Sequence, residues 1–334
     1  MKPEEYHKSL SPLKEACQLA GWACIPCPLT GGRLIILFRH LSLIFKIYKI
    51  RDQRILLREF STLPLLLVFP LLWPFRKQIL FLINHNLQWA ERDPLERFGL
   101  TLLARLGARW ALFESQDFPN LGSRLPVRHS LGDGGSLHPQ NLGKFNIASD
   151  QNLVLPHPVL QSPPSEGCPK GGEGVPVVGV AGYYRPEKGM DELVGLLKEK
   201  LPMFGILLGV PNPEAAAHLD VEVVSTASAE EYFQMISRCD VLVFNGEQNS
   251  YFYRASGPIS DAAACGTAVV APDFPIIGKQ VLGVGEVFWG LENLPVAIEV
   301  AVEKVRAGQY DFASYCAGRS VQALAALLEK FSNG

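Results

Sequence analysis

The chain has 334 residues, 48% of them hydrophobic, with 30 Gly, 25 Pro and a net charge of −2. That length suits two domains, and the apolar content excludes a disordered chain. The charge is divided: Met1 to Leu160 holds 19 Lys and Arg against 12 Asp and Glu, a balance of +7, which leaves −9 for the remainder.

Met1 to Leu10 is polar, carries Glu4 and Glu5, and does not read as a signal peptide. An amphipathic helix is expected over Glu4 to Ala20, then a strand over Ala23 to Pro28 and a turn at Thr30-Gly31-Gly32. Cys24 and Cys27 form a CxxC with no second pair to complete a zinc site. Seven scattered cysteines suit a reducing compartment, which implies the cytoplasm. A helix over Arg33 to Ile50 carries Arg39, His40, Lys46 and Lys49 on its polar positions. Phe60 to Phe75 is uncharged, but Pro64, Pro70 and Pro74 interrupt it and it falls short of the about 20 apolar residues of a spanning helix, which leaves a Pro-broken buried helix or a surface that dips into a membrane. The basic half and these apolar segments point to an anionic membrane surface or acceptor as partner. No stacking motif points to nucleic acid. Strands over Arg54 to Phe60, Gln78 to Ile83, Trp110 to Glu114 and Asn152 to Leu155, with a helix over Pro94 to Gly107, complete a first α/β domain, residues 1–160.

Residues 161–175 have linker composition. In residues 176–312, strands over Pro176 to Ala181, Phe204 to Val210, Val221 to Val224, Val241 to Phe244, Ala268 to Ala271 and Glu286 to Trp289 alternate with helices over Met190 to Lys200, Ala229 to Arg238 and Pro258 to Cys265. A short helix is expected near Pro213, and a last helix, Ala313 to Phe331, closes the chain. This alternation predicts a doubly wound sheet, which binds ligands at the carboxyl ends of its strands.

The segment YFYRASGPISDAAACGTAVVAP, residues 251–272, sets one carboxylate, Asp261, in a small smooth helix. Ser256 or Gly257 caps that helix, Pro258 suits its first turn and Gly266 its end. Its first N–H groups favour phosphate, and Asp261, about one turn in, suits a ribose or merely complements the helix dipole.

SGPISDAAACGTAVVAP resembles the C-terminal signature of the retaining GT-B glycosyltransferases, of the kind that build bacterial lipopolysaccharide and exopolysaccharide. GVAGYYRPEKGMDELV and SAEEYFQMISRCDVLVFN resemble two further segments of that family, in order. The resemblance implies two Rossmann-like, doubly wound domains facing a cleft, with the last helix packing back on the first domain. It implies metal-independent sugar transfer from a nucleotide-diphosphate sugar to a glycan or lipid-linked acceptor, with no cofactor. Asp261 takes the ribose-holding position and Lys188 the diphosphate position. Tyr253 stands where the family has its first Glu, and Tyr183 where it has a diphosphate Arg; Arg185 and Arg254 lie nearby, and Glu247 could replace the missing carboxylate. Ser256 and Gly257 open the phosphate-facing helix. Gly31 and Gly32 resemble the family's glycine loop, and His85 its active-site histidine. A relative that keeps the fold and only binds nucleotide or glycan fits the two tyrosines.

Overall fold

The computed structural model describes residues 11–27, 32–83, 86–114, 152–160, 174–182, 184, 189–246 and 248–333. Its first sheet is β1 (Trp22–Pro26), β2 (Arg54–Arg58), β3 (Ile79–Ile83), β4 (Arg109–Phe113) and β5 (Leu153–Leu155), paired in parallel in that order. Side chains alternate between its two faces, as the pleat requires. Ile55, Leu57, Phe81 and Trp110 face α2 (Arg33–Lys49), α3 (Thr62–Leu72) and α5 (Pro94–Arg105). Leu56, Leu80, Leu82 and Ala111 pack with Leu13 and Cys17 of α1 (Ser11–Leu19) and Leu324 and Leu328 of α13 (Val321–Asn333). With the strands in sequential order, right-handed crossovers all fall on one face. The two chain ends therefore supply the other layer.

The second sheet is β6 (Val177–Ala181), β7 (Gly205–Val210), β8 (Glu222–Ser225), β9 (Val241–Val243), β10 (Ala268–Pro272) and β11 (Gly285–Phe288). Its order, β11-β10-β9-β6-β7-β8, is all parallel and reverses direction between β6 and β9. That reversal places a ligand crevice at the carboxyl ends of β6 and β9. Helices α6 (Met190–Lys200), α7 (Ala229–Ser237), α9 (Gly257–Ala264) and α11 (Leu294–Arg306) flank the sheet.

The structure adds helices that the sequence pattern does not announce: α4 (Asn86–Arg92), α8 (Gln248–Tyr251), α10 (Pro275–Val281) and α11. It also corrects the single last helix to two, α12 (Phe312–Ala317) and α13, separated by Gly318, Arg319 and Ser320. Ser320 starts α13 afresh, its Oγ accepting the Ala323 N–H at 3.2 Å, and the Arg319 guanidinium just before it is drawn into a buried pair with Glu114.

One apolar core continues from Leu87 and Ala90 of α4 to Phe252 and Tyr253, so the domains share packing where α4 meets α8. A polar seam joins them elsewhere. Glu114, in the left-handed region at φ 65, accepts both Arg319 Nη atoms and the His157 N–H at 2.7 Å. Such a conformation costs a non-glycine residue about 1 kcal/mol and persists because three bonds hold it. Cys24 and Cys27 do not form a dithiol pair: the Cys17 thiol donates a hydrogen bond to Cys24, whereas Cys27 Sγ lies 3.7 Å from the ring of His40, which is buried on the sheet side of α2 and not on its polar side.

Candidate functional site

The segment after β9 runs through α8 into α9. Pro258 sits in the first turn of α9, and Gly266, at φ 65, ends it with its N–H bonded to Ala263 O at 3.0 Å. Ser256 is the N-cap residue but makes no side-chain cap; its Oγ is buried and has no partner among the described residues. The backbone of Ser256 is bracketed instead by one side chain. Gln280 of α10 accepts the Ser256 N–H at 2.8 Å and donates to its carbonyl at 2.7 Å. Gln280 Nε2 also donates to Ser260 Oγ at 3.1 Å, and that oxygen lies 3.3 Å from His157 Nδ1. His157 Nδ1 is also 3.1 Å from Pro158 O, so this nitrogen carries the proton. Burial pushes the His157 imidazole down to about 4, and it stays neutral at ordinary pH. A continuous polar chain thus leads from the domain seam to the start of α9. The N–H groups of its first turn keep no side-chain cap, an arrangement suited to an anion.

Asp261 is the fifth residue of α9, beyond the first turn, where the dipole's influence has fallen off. Its side chain turns to α7. Tyr232 Oη donates to Oδ2 at a long 3.5 Å, while Oδ1 is buried with no partner among the described residues. Burial raises the carboxyl to about 7, and the Tyr232 bond only partly offsets this. A buried carboxylate with one weak bond is costly. A proton, an ordered water or the hydroxyl of a ligand would satisfy it.

The other expected residues separate into three groups. Tyr253 is 4% exposed and packs edge-on against Phe252 at 4.6 Å, within the shared apolar core. Arg254 is half-buried with its guanidinium 5.3 Å from the Tyr251 ring; burial lowers its pKa, opposed by Tyr251 and by Glu59 of the first domain. Gly257 is the first residue of α9; Gly32, the N-cap residue of α2, is in extended backbone with open space where a side chain would stand. His85, Lys188, Arg185, Tyr183, Glu247 and Gly31 lie outside the described residues.

Sequence reasoning did not find Glu59, Tyr232, Gln280 or His157. Glu59, at φ 60 and the carboxyl end of β2, faces the positive charge of Arg254 across the domains. Only Tyr232 carried a signal. It lies in the segment that resembles the family, at the register that brings α7 against α9.

The architecture defines a class: two α/β domains with parallel sheets of five and six strands, the two-domain GT-B fold. The Anabaena protein Alr3699/HepE, in complex with UDP-glucose, is 14% identical with a TM-score of 0.56, over 98% of this chain and 95% of that one. A glycosyltransferase from Rickettsia africae ESF-5 is 10% identical with a TM-score of 0.59, over 100% and 96% of the two chains. A chain of the GtfA/B complex is 11% identical with a TM-score of 0.51 over 89% of this chain, which spans 61% of its length. These likenesses are of fold. No family model matches the sequence, and no curated protein matches it. Among the described residues no helix is long and apolar enough to cross a membrane.

Proposed function

We propose that the protein transfers a sugar from a nucleotide-diphosphate sugar to a glycan or lipid-linked acceptor, with retention of configuration and without a metal ion. The observation that carries this reading is Asp261, a buried carboxylate with a partnerless oxygen in a helix whose first turn is uncapped. Ribose hydroxyls would satisfy the carboxylate, and the N–H groups at the start of α9 would meet the diphosphate. Lys188, with Arg185 or Arg254, would neutralise the charge that develops on the leaving diphosphate. His85, after β3, is assigned to the reacting sugar, Tyr183 to the donor pocket, and Gly31 and Gly32 to the acceptor side; Tyr253, also expected in the donor pocket, is packed in the apolar core. The UDP-glucose bound by Alr3699/HepE makes uridine nucleotides the first donors to try. The same reading puts the protein in the cytoplasm, peripheral on the inner face of the membrane, in polysaccharide biosynthesis.

Tyr253 favours a second reading. Its ring fills apolar core where the resembled family presents a sugar-contacting Glu. On this reading the protein binds nucleotide but transfers nothing. A thermal-shift panel of nucleotide sugars, followed by assay of nucleotide-diphosphate release, separates the two. Transfer requires turnover that survives EDTA and is lost in His85→Ala and Asp261→Asn. Tight binding without turnover for any donor and acceptor supports the second reading. No stabilisation by any nucleotide overturns both.

A further inference from the structure

We propose that the outward side of α2, with the adjoining side of α3, is a docking surface for a bilayer bearing anionic lipid. This names the surface behind the peripheral placement just given and is independent of sugar transfer.

Helix α2 has two apolar sides. Leu43 and Ile47 are buried against the sheet. Leu34, Phe38, Leu41, Phe45 and Tyr48, spaced four, three, four and three apart, all face solvent; Leu34, Phe38 and Phe45 are 71%, 68% and 73% exposed. At about 100° per residue these five fall within an arc of about 80°, opposite the buried side. A helix with one side in a core ordinarily presents polar residues on the other. Leu67, 69% exposed, and Leu71 extend the surface onto α3, which packs beside α2. Scattered exposed apolar residues need no explanation, but these are concentrated. Twelve of the eighteen exposed large apolar residues among the described ones lie between Leu34 and Phe98.

Charge selects the occupant. Helix α2 contains no acidic residue, and Lys46 and Lys49 are exposed beside the apolar stripe. Residues 33–105 hold twelve Lys and Arg against five Asp and Glu. A second copy docking face to face would oppose this excess with its own, whereas anionic headgroups complement it. Tyr48 and Trp73, both partly exposed, provide rings of the amphipathic kind that settle at a bilayer interface; Arg76 lies over the Trp73 ring at 4.2 Å. The helix would then lie in the plane of the interface.

The test is flotation of the full chain with phosphatidylcholine vesicles, with and without phosphatidylglycerol, at low and high salt. The proposal expects preferential binding to the anionic vesicles, weakened by salt. Phe38→Ser with Phe45→Ser should reduce binding about tenfold or more, and Lys46→Glu with Lys49→Glu by a similar factor, with unchanged Tm. Equal binding to both vesicle types, or unchanged binding by the Phe38/Phe45 variant, overturns it. So does concentration-dependent self-association that the same variant abolishes, because α2 then meets a second copy. Vesicle binding by a chain that binds no nucleotide would leave this surface standing and remove the transferase reading.

Discussion

The two domains use the same strand-helix alternation to opposite ends. The second reverses its strand order between β6 and β9, and around that reversal it buries polar groups: Asp261, Ser256, Ser260, Gln280 and, from the adjoining segment, His157. The first never reverses, and its crossover helices fall on one face, whose outward side is apolar and basic. On the proposed reading the difference marks where each half would meet its partner: the second internally, at an anionic nucleotide, and the first on its surface.

The seam between the halves should be the most sensitive place. Removing Arg319 leaves Glu114 buried and unpaired, so Arg319→Leu is expected to cost about 3–5 kcal/mol in denaturant unfolding. A cost under about 1 kcal/mol would mean that the domains are held by apolar packing alone. The same seam responds to acid. His157 titrates near 4 when folded and near 6.5 when unfolded, so the unfolded chain binds more protons between those values. Stability should be full above pH 6.5 and fall by about 3 kcal/mol as pH drops to 4, with His157→Gln removing that component.

Asp261 should behave in the reverse sense. Its folded carboxyl titrates near 7 against 3.8 unfolded, so ionisation of the unfolded chain erodes stability as pH rises from 4 to 7. Asp261→Asn should therefore raise stability by about 2–4 kcal/mol above pH 7 and change little below pH 4. A residue kept at that cost in the folded state points to a ligand. Lys188→Ala should weaken nucleotide-diphosphate binding about tenfold, one charged hydrogen bond, as read by calorimetry. The smallest effect contrasts the two sides of α2: Phe45→Ser should shift unfolding by less than about 0.5 kcal/mol, whereas Ile47→Ala should cost about 2–5 kcal/mol.

Local chemistry made α9 legible in the sequence. Pro258 and Gly266 mark its ends wherever the chain goes, and its small residues announce close packing on β10. The strands of both sheets were legible for the same reason, as short apolar runs between turn residues. Helix α11 was not, because Val296, Ile298, Val300 and Val302 alternate as a strand would, while tertiary packing holds the segment helical. Helices α4 and α10 span seven residues each, too short for a periodic signal. The seam was beyond reach: Glu114 and Arg319 are 205 residues apart, and only the sequential order of the first sheet, which leaves a face for α13, brings them together. Gln280 belongs to the same class, since nothing in its neighbourhood says that its amide brackets Ser256.

On the proposed function, Asp261 and the start of α9 hold a nucleotide. Titrating uridine diphosphate by calorimetry at pH 6 and pH 8, in buffers of different ionisation enthalpy, addresses it directly. Ribose hydroxyls favour the charged carboxylate, so binding should tighten from pH 6 to 8 and release protons near pH 7, and Asp261→Asn should lose both the proton release and about tenfold or more in affinity. Affinity that is independent of pH and unchanged in Asp261→Asn would contradict the account, because the nucleotide would then bind elsewhere or the carboxylate would need no ligand.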